Sequence, residues 1–148
     1  MSANFSNSRI QPPICNKVDD TQNNLVRINA DKAKQAAADY CARLASEKVV
    51  LDSGSSGPNP AIINDAAENN GQLALTVEFD VAGCPQDKSM SAVDFTKMSS
   101  DECQQNFYLS ISELCVQDPT WPNYNPDFTL EGGVFLNDCG LFGMTGQP

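Results

Sequence analysis

Six cysteines and no histidine make up the reactive inventory of this 148-residue chain. Thiols at such spacing do one of two things: they bridge in an oxidising compartment or they hold a metal. No Cys-x-x-Cys pair occurs, and the count is even. Cys15, Cys41, Cys84, Cys103, Cys115 and Cys139 are therefore expected to form structural disulfides, with no metal and no cofactor. The missing histidine removes the commonest general base, so serine and cysteine nucleophiles lack their usual partner. A serine–lysine dyad fares no better, because Ser89 directly follows Lys88 instead of preceding a lysine by three residues.

Carboxylate chemistry remains. Asp80, Asp127, Glu131 and Asp138 fall at or near predicted strand ends. A glycan hydrolase would need two of them roughly 5–10 Å apart in a cleft, one raised in pKa by burial. Their spacing does not demand this, and in so acidic a chain solvated surface carboxylates are the expectation. The chain is read as a non-enzyme. Asp118 to Asp127 is read as a Pro-rich turn, since it lacks the ligand pattern of a helix–loop–helix calcium site.

That same loop holds the candidate binding residues. Trp121, Asn123 and Tyr124 lie between Pro119, Pro122 and Pro126 in a segment without apolar periodicity. Exposed aromatics beside amides stack on sugar rings or anchor a protein partner. Against this, a lone tryptophan in a small domain usually packs, and Trp121 is expected to fold back over an open end of the core.

The elements that must position these residues are legible from periodicity. Residues 1–14 are polar, with Pro12-Pro13 near their end, and read as a flexible lead-in to one domain over residues 15–148. A short strand is expected over Leu25–Ile28. Asn29 caps a helix over about residues 30–47, whose Ala33, Ala36, Ala37, Tyr40, Cys41 and Leu44 share one face. Val49–Leu51 and Ala61–Ile63 are brief strand candidates around a 52–60 loop that has no phosphate-binding signature. Asn69-Asn70-Gly71 has the chemistry of a positive-φ turn. Gln72–Val81 alternates strictly and is the clearest strand.

A polar connection follows. Ser99 and Glu102 then form a capping box, with Met98 as a staple, for a second helix that its apolar stripe carries through Cys103, Phe107, Ile111, Leu114 and Cys115. Phe128–Asn137 is the last expected strand, with Gly132-Gly133 marking a bulge or a close backbone approach. The order predicts an α+β fold: two helices packed on one face of a small, mainly antiparallel sheet, a ferredoxin-like split arrangement being one fit. On one helix Cys103 and Cys115 would stand about 18 Å apart at 1.5 Å per residue, too far to bridge. If the final strand returns along the second helix, Cys103–Cys139 becomes a plausible pair, and the other pairings stay open.

Nineteen acidic against nine basic residues give a net charge of −10, which excludes a basic-patch nucleic-acid binder. No apolar run approaches the ~20 residues of a bilayer span. Disulfides point to a secreted, extracellular protein, although Met1–Ser6 has no signal-peptide character, so that reading requires an upstream signal or region beyond this chain. Asn4-Phe5-Ser6 is its one glycosylation sequon.

Over about residues 98–140 the chain resembles a cysteine module of secreted fungal proteins. The residues concerned are Asp101-Glu102-Cys103, Phe107, Ile111, Cys115, Gly132-Gly133 and Cys139. In that module a helix carries two cysteines with eleven residues between them, followed by a Gly-Gly strand and a last cysteine. It closes some fungal class V chitinases, and similar layouts occur in small secreted effectors. The helix–strand–helix–strand order is also similar to the sandwich of virally encoded killer toxins and killer-toxin-like effectors.

This chain departs from the module in its longer Asp118–Asp127 insertion and its Gly140–Met144 ending. It also lacks the Asp-x-x-Asp-x-Asp-x-Glu cluster of the chitinase catalytic domain, so chitinase activity is not implied. The resemblance implies a secreted fungal effector or killer-toxin-like protein that binds a host or competitor surface component, a cell-wall glycan or a protein, without catalysis. The alternatives are a polysaccharide-binding accessory module of a larger secreted fungal enzyme and a small carboxylate-dependent glycan hydrolase.

Overall fold

A computed structural model describes residues 12–16, 18, 25–80, 84, 92–109, 111–122, 124–137 and 139–148. The expectations for Asn4, Ser89, Asn123 and Asp138 lie outside the described residues. Strand β1, Ile14–Cys15, precedes helix α1, Ala30–Ser46. Asn29 caps α1 as expected, its side-chain oxygen accepting the Lys32 N–H. The stripe from Ala33 to Leu44 is fully buried, and its four small residues let the helix lie close to the sheet. β2, Val50–Leu51, pairs with β5, Val93–Asp94, in a separate two-stranded sheet.

The main sheet is built from hairpins. β3, Ala61–Ala67, turns through Asn69 and Asn70, both at φ near +59°, into β4, Gly71–Phe79. Asparagine tolerates this left-handed geometry better than most side chains, so the Asn-Asn-Gly signal was well founded. The second hairpin joins β6, Gly133–Asn137, to β7, Gly140–Gln147. All pairs are antiparallel, in the order β1-β6-β7-β4-β3.

The second helix, α2, Ser100–Tyr108, starts where the capping signal placed it, with the Ser99 hydroxyl accepting the Glu102 N–H at 3.1 Å. The layout is thus helix–hairpin twice over, the inner strands β4 and β7 pairing along their full lengths. Its neighbour relations are those of a split βαβ sheet in which the C-terminal β7 takes the central place that a first strand would hold.

β7 was not expected from sequence, because Gly140, Gly143 and Gly146 interrupt its apolar pattern. The structure supplies the reason for one of them: a Cβ on Gly146 would collide with the Val26 carbonyl, so the glycine admits a crossing chain. Gly132-Gly133 does mark a close approach. Gly132 has φ +80°, and a side chain there would meet the Met144 carbonyl. Expected strand Phe128–Asn137 is consequently split, β6 beginning only at Gly133. Leu25–Ile28 forms no strand; Ile28 contributes single rungs to Ala67 and Leu130.

Leu73, Leu75 and Val77 of β4 stand opposite Gly146, Met144 and Phe142 of β7 and face both helices. Phe107 of α2 sits between Tyr40 (5.7 Å) and Phe142 (5.3 Å, edge-on), so the rings join the helices to the sheet. The expected α+β architecture, stapled by disulfides, is what the chain adopts.

The staples correct one pairing. Cys15–Cys115, Cys41–Cys103 and Cys84–Cys139 are bridged, with Cα separations of 5.2, 6.0 and 4.3 Å. Cys103–Cys139 does not form. The β4–β7 register sets Gly140 against Phe79, so Cys139 arrives beside Asp80, whose N–H it accepts at 2.8 Å, and Cys84 lies just beyond. Cys103 and Cys115 indeed take separate partners, but the expected single helix does not link them. α2 stops at Tyr108, whose carbonyl is taken by the Ser112 N–H (2.7 Å) and hydroxyl (2.8 Å). The N–H bond is a last helical one, and the hydroxyl bond to the same carbonyl bends and weakens the helix at that point. Cys115 is then drawn to Cys15.

Candidate functional site

After α2 the chain turns and bends through residues 111–115 and then, at Val116, adds a rung to a second, smaller ladder beside the main sheet. The Gln117 N–H donates to Thr129 and the Glu131 N–H to Cys115, each at 2.8 Å. Leu130 in turn exchanges bonds with Ile28, whose other side meets Ala67 of β3. Among the described residues the rungs run Ala67, Ile28, Leu130, Val116, and end there.

A mostly buried ion pair braces this ladder. The Arg27 guanidinium donates to both carboxylate oxygens of Glu68 and, at 2.6 Å, to the side-chain carbonyl of Gln117. Arg27 thereby ties the crossing segment to the turn after β3 and to the outermost rung.

Cysteine chemistry shapes the surface here. With Cys115 turned inward to its bridge, Leu114 and Val116 turn outward, 61% and 42% exposed. Across the bridge Ile14 is 71% exposed and pairs with Val134. Cys15 Sγ lies 3.4 Å from the Leu114 carbonyl oxygen, which brings the two apolar residues to one locality. Half of the six exposed large hydrophobics among the described residues therefore flank one disulfide.

Val116 also forms the lip of a groove of about 450 Å³. Its floor is Ile111 and Leu130, and one wall is the first turns of α1, with Asp31 and Lys34. Tyr108 closes the other end, its hydroxyl donating to the Lys34 carbonyl at 2.8 Å. Burial raises the Tyr108 hydroxyl pKa above the ordinary phenol value, so it is a donor at physiological pH.

The Trp121 loop extends from the same ladder. Asp118 accepts the Thr120 N–H (2.9 Å) and hydroxyl (2.7 Å), and these bonds lower its carboxyl pKa. The Trp121 N–H then closes on Asp118 O, Tyr124 N–H on Trp121 O, and Asp127 N–H on the Asn125 side chain. Asn29, the cap of α1, donates its amide to the Asp127 carbonyl at 3.2 Å and pins the loop's far end. Trp121 keeps 43% of its surface exposed and Tyr124 is half-buried, so the indole is neither free nor fully folded onto the core.

The acidic candidates are spread out. Asp80 follows the end of β4 paired with Gly140, while Glu131 precedes the end of β6 paired with Met144. Four residue steps of β7 separate those ends, about 13 Å of strand. Asp127 is exposed beside the α1 cap. Among the described residues, no three His, Cys, Asp or Glu side chains gather to hold a metal ion, and no helix is long and apolar enough to cross a membrane.

The open ladder edge was missed because its rungs are single residues far apart in sequence. The helical stripe expected through Leu114 and Cys115 stops one residue short of Val116, so no periodic pattern marks this rung. Comparison with protein families, curated proteins and solved structures finds no match to this chain.

Proposed function

We propose that this is a secreted, non-enzymatic binding protein, a fungal effector or killer-toxin-like protein, that engages a surface component of a host or a competitor. The observation that carries the reading is the apolar locality of Ile14, Leu114 and Val116, exposed around the Cys15–Cys115 bridge. Exposed apolar side chains grouped on a stapled scaffold are the ordinary mark of an interaction site. Three disulfides between positions 55 to 100 residues apart suit an oxidising, extracellular setting. The resemblance over residues 98–140 supplies the fungal origin. Oxidised protein applied to plant tissue and to rival fungal cultures tests the reading. A response that Leu114→Asp abolishes supports it, and inertness in both settings defeats it.

A cell-wall polysaccharide module is the second reading, favoured by the exposure of Trp121 on a loop held by its own hydrogen bonds. Titration with chitin and glucan fragments should then shift Trp121 fluorescence saturably, and a flat response to all of them removes this reading.

A further inference from the structure

The outermost rung has a direction. In an antiparallel ladder the backbone groups of successive residues alternate between the two sides. The bonds of Cys115 and Gln117 point to residues 129–131, so the N–H and C=O of Val116 point away, and among the described residues neither has a hydrogen-bond partner. This is an unpaired sheet edge, next to exposed apolar side chains and an apolar groove. Proteins usually blunt such an edge with lysine, proline or a covering loop. Here Leu114 and Val116 stand on it instead.

The electrostatics select the occupant. Glu113 and Asp118 flank the edge and are exposed, and Asp31 lines the groove. Asp31 and Lys34 balance within the groove lining, so the acidic excess lies at the edge itself, in a molecule of net charge −10. A second copy of this chain would bring like charge to the same surface. An extended segment alternating apolar and basic residues meets all three features. Its backbone pairs with Val116, its apolar side chains cover Leu114 and Val116, and its cations meet Glu113 and Asp118.

We propose that the edge at Val116, with the groove beside it, takes an extended basic–apolar segment of a partner protein by strand addition. This rests on the reading of the molecule as a surface-target binder and names the class of its partner.

A short capped peptide alternating lysine and valine is the probe, titrated into isotope-labelled, oxidised protein and followed by amide NMR and hydrogen exchange. Binding should protect the Val116 amide and shift resonances over 113–118. Leu114→Asp should weaken it by about tenfold or more, the loss of one buried leucine contact. Glu113→Lys should weaken it several-fold, and so should raising salt from about 0.05 to about 0.3 M. The far-ultraviolet spectrum and melting temperature of each variant establish that it is folded, and Leu114 and Glu113 are both exposed positions. No binding of the basic peptide at about 1 mM overturns the proposal. Equal binding of a glutamate–valine peptide, of a backbone N-methylated lysine–valine peptide, or by Leu114→Asp protein overturns it as well. Failure here leaves the tissue and culture response standing, whereas inertness there with intact peptide binding removes the functional reading and keeps the edge.

Discussion

At the scale of single residues, Asp118 and Gly132 show how local chemistry places a side chain several positions away. Asp118 holds its turn through two bonds from Thr120, and Trp121 closes on the same residue. The folded carboxyl is depressed, chiefly by the Thr120 backbone N–H and then by its hydroxyl. Its contribution to the turn is present above the ordinary carboxylate value, about 3.9, and is lost as pH falls through the depressed one. Trp121 emission should therefore change only below about pH 4. In Thr120→Val the change should begin at higher pH, and identical titrations would refute the link. Gly132 sits at φ +80° with the Met144 carbonyl against the missing Cβ. Gly132→Ala should lower unfolding free energy by more than the ~1–2 kcal/mol of a left-handed alanine, read from urea melts.

Elements meet through a few polar bridges whose loss leaves buried groups unsatisfied. Arg27 and Glu68 are mostly buried, and Arg27 also joins the crossing segment to Gln117. Replacing Arg27 by Met strands the Glu68 carboxylate, and about 3–5 kcal/mol of destabilisation is expected by denaturant titration. Asn106 of α2 accepts from Asn137 of β6 at 2.9 Å while nearly fully buried. Asn137→Ala should cost about 1–3 kcal/mol, the desolvation of an unpaired amide oxygen, and a neutral result would mean that water replaces the bond. The same scale explains the shortened α2: its apolar stripe continues past Tyr108, but Cys115 is bridged to Cys15 and bonded to Glu131, away from the helix axis.

For the molecule as a whole, the bridges tie distant segments. Cys15–Cys115 closes the longest loop, 100 residues in separation, and fastens edge strand β1 to the Val116 ladder. Replacing both cysteines by serine should reduce stability by about 4–5 kcal/mol in the chain-entropy account. It should also release Ile14 and Leu114 from each other, so hydrogen exchange should rise locally at residues 14–16 and 113–116. A uniform rise across the sheet would show that the bridge supports the fold and not this surface alone.

Patterns confined to neighbouring residues were legible without a structure. The stripe of α1, its Asn29 cap, the Ser99 cap, the Asn-Asn-Gly turn and the alternation of β4 each follow from 3.6- or 2-residue periodicity and from local hydrogen bonding. So did the prospect of disulfides, which needs only the count and spacing of the thiols. Tertiary structure alone decided which thiols meet, that a glycine-rich tail becomes the central strand, and that Val116 ends a ladder. These depend on chains crossing from far apart in sequence. The space for Val26 at Gly146, the register that brings Cys139 to Asp80, and the rung from Leu130 to Val116 exist only once the other partner has arrived.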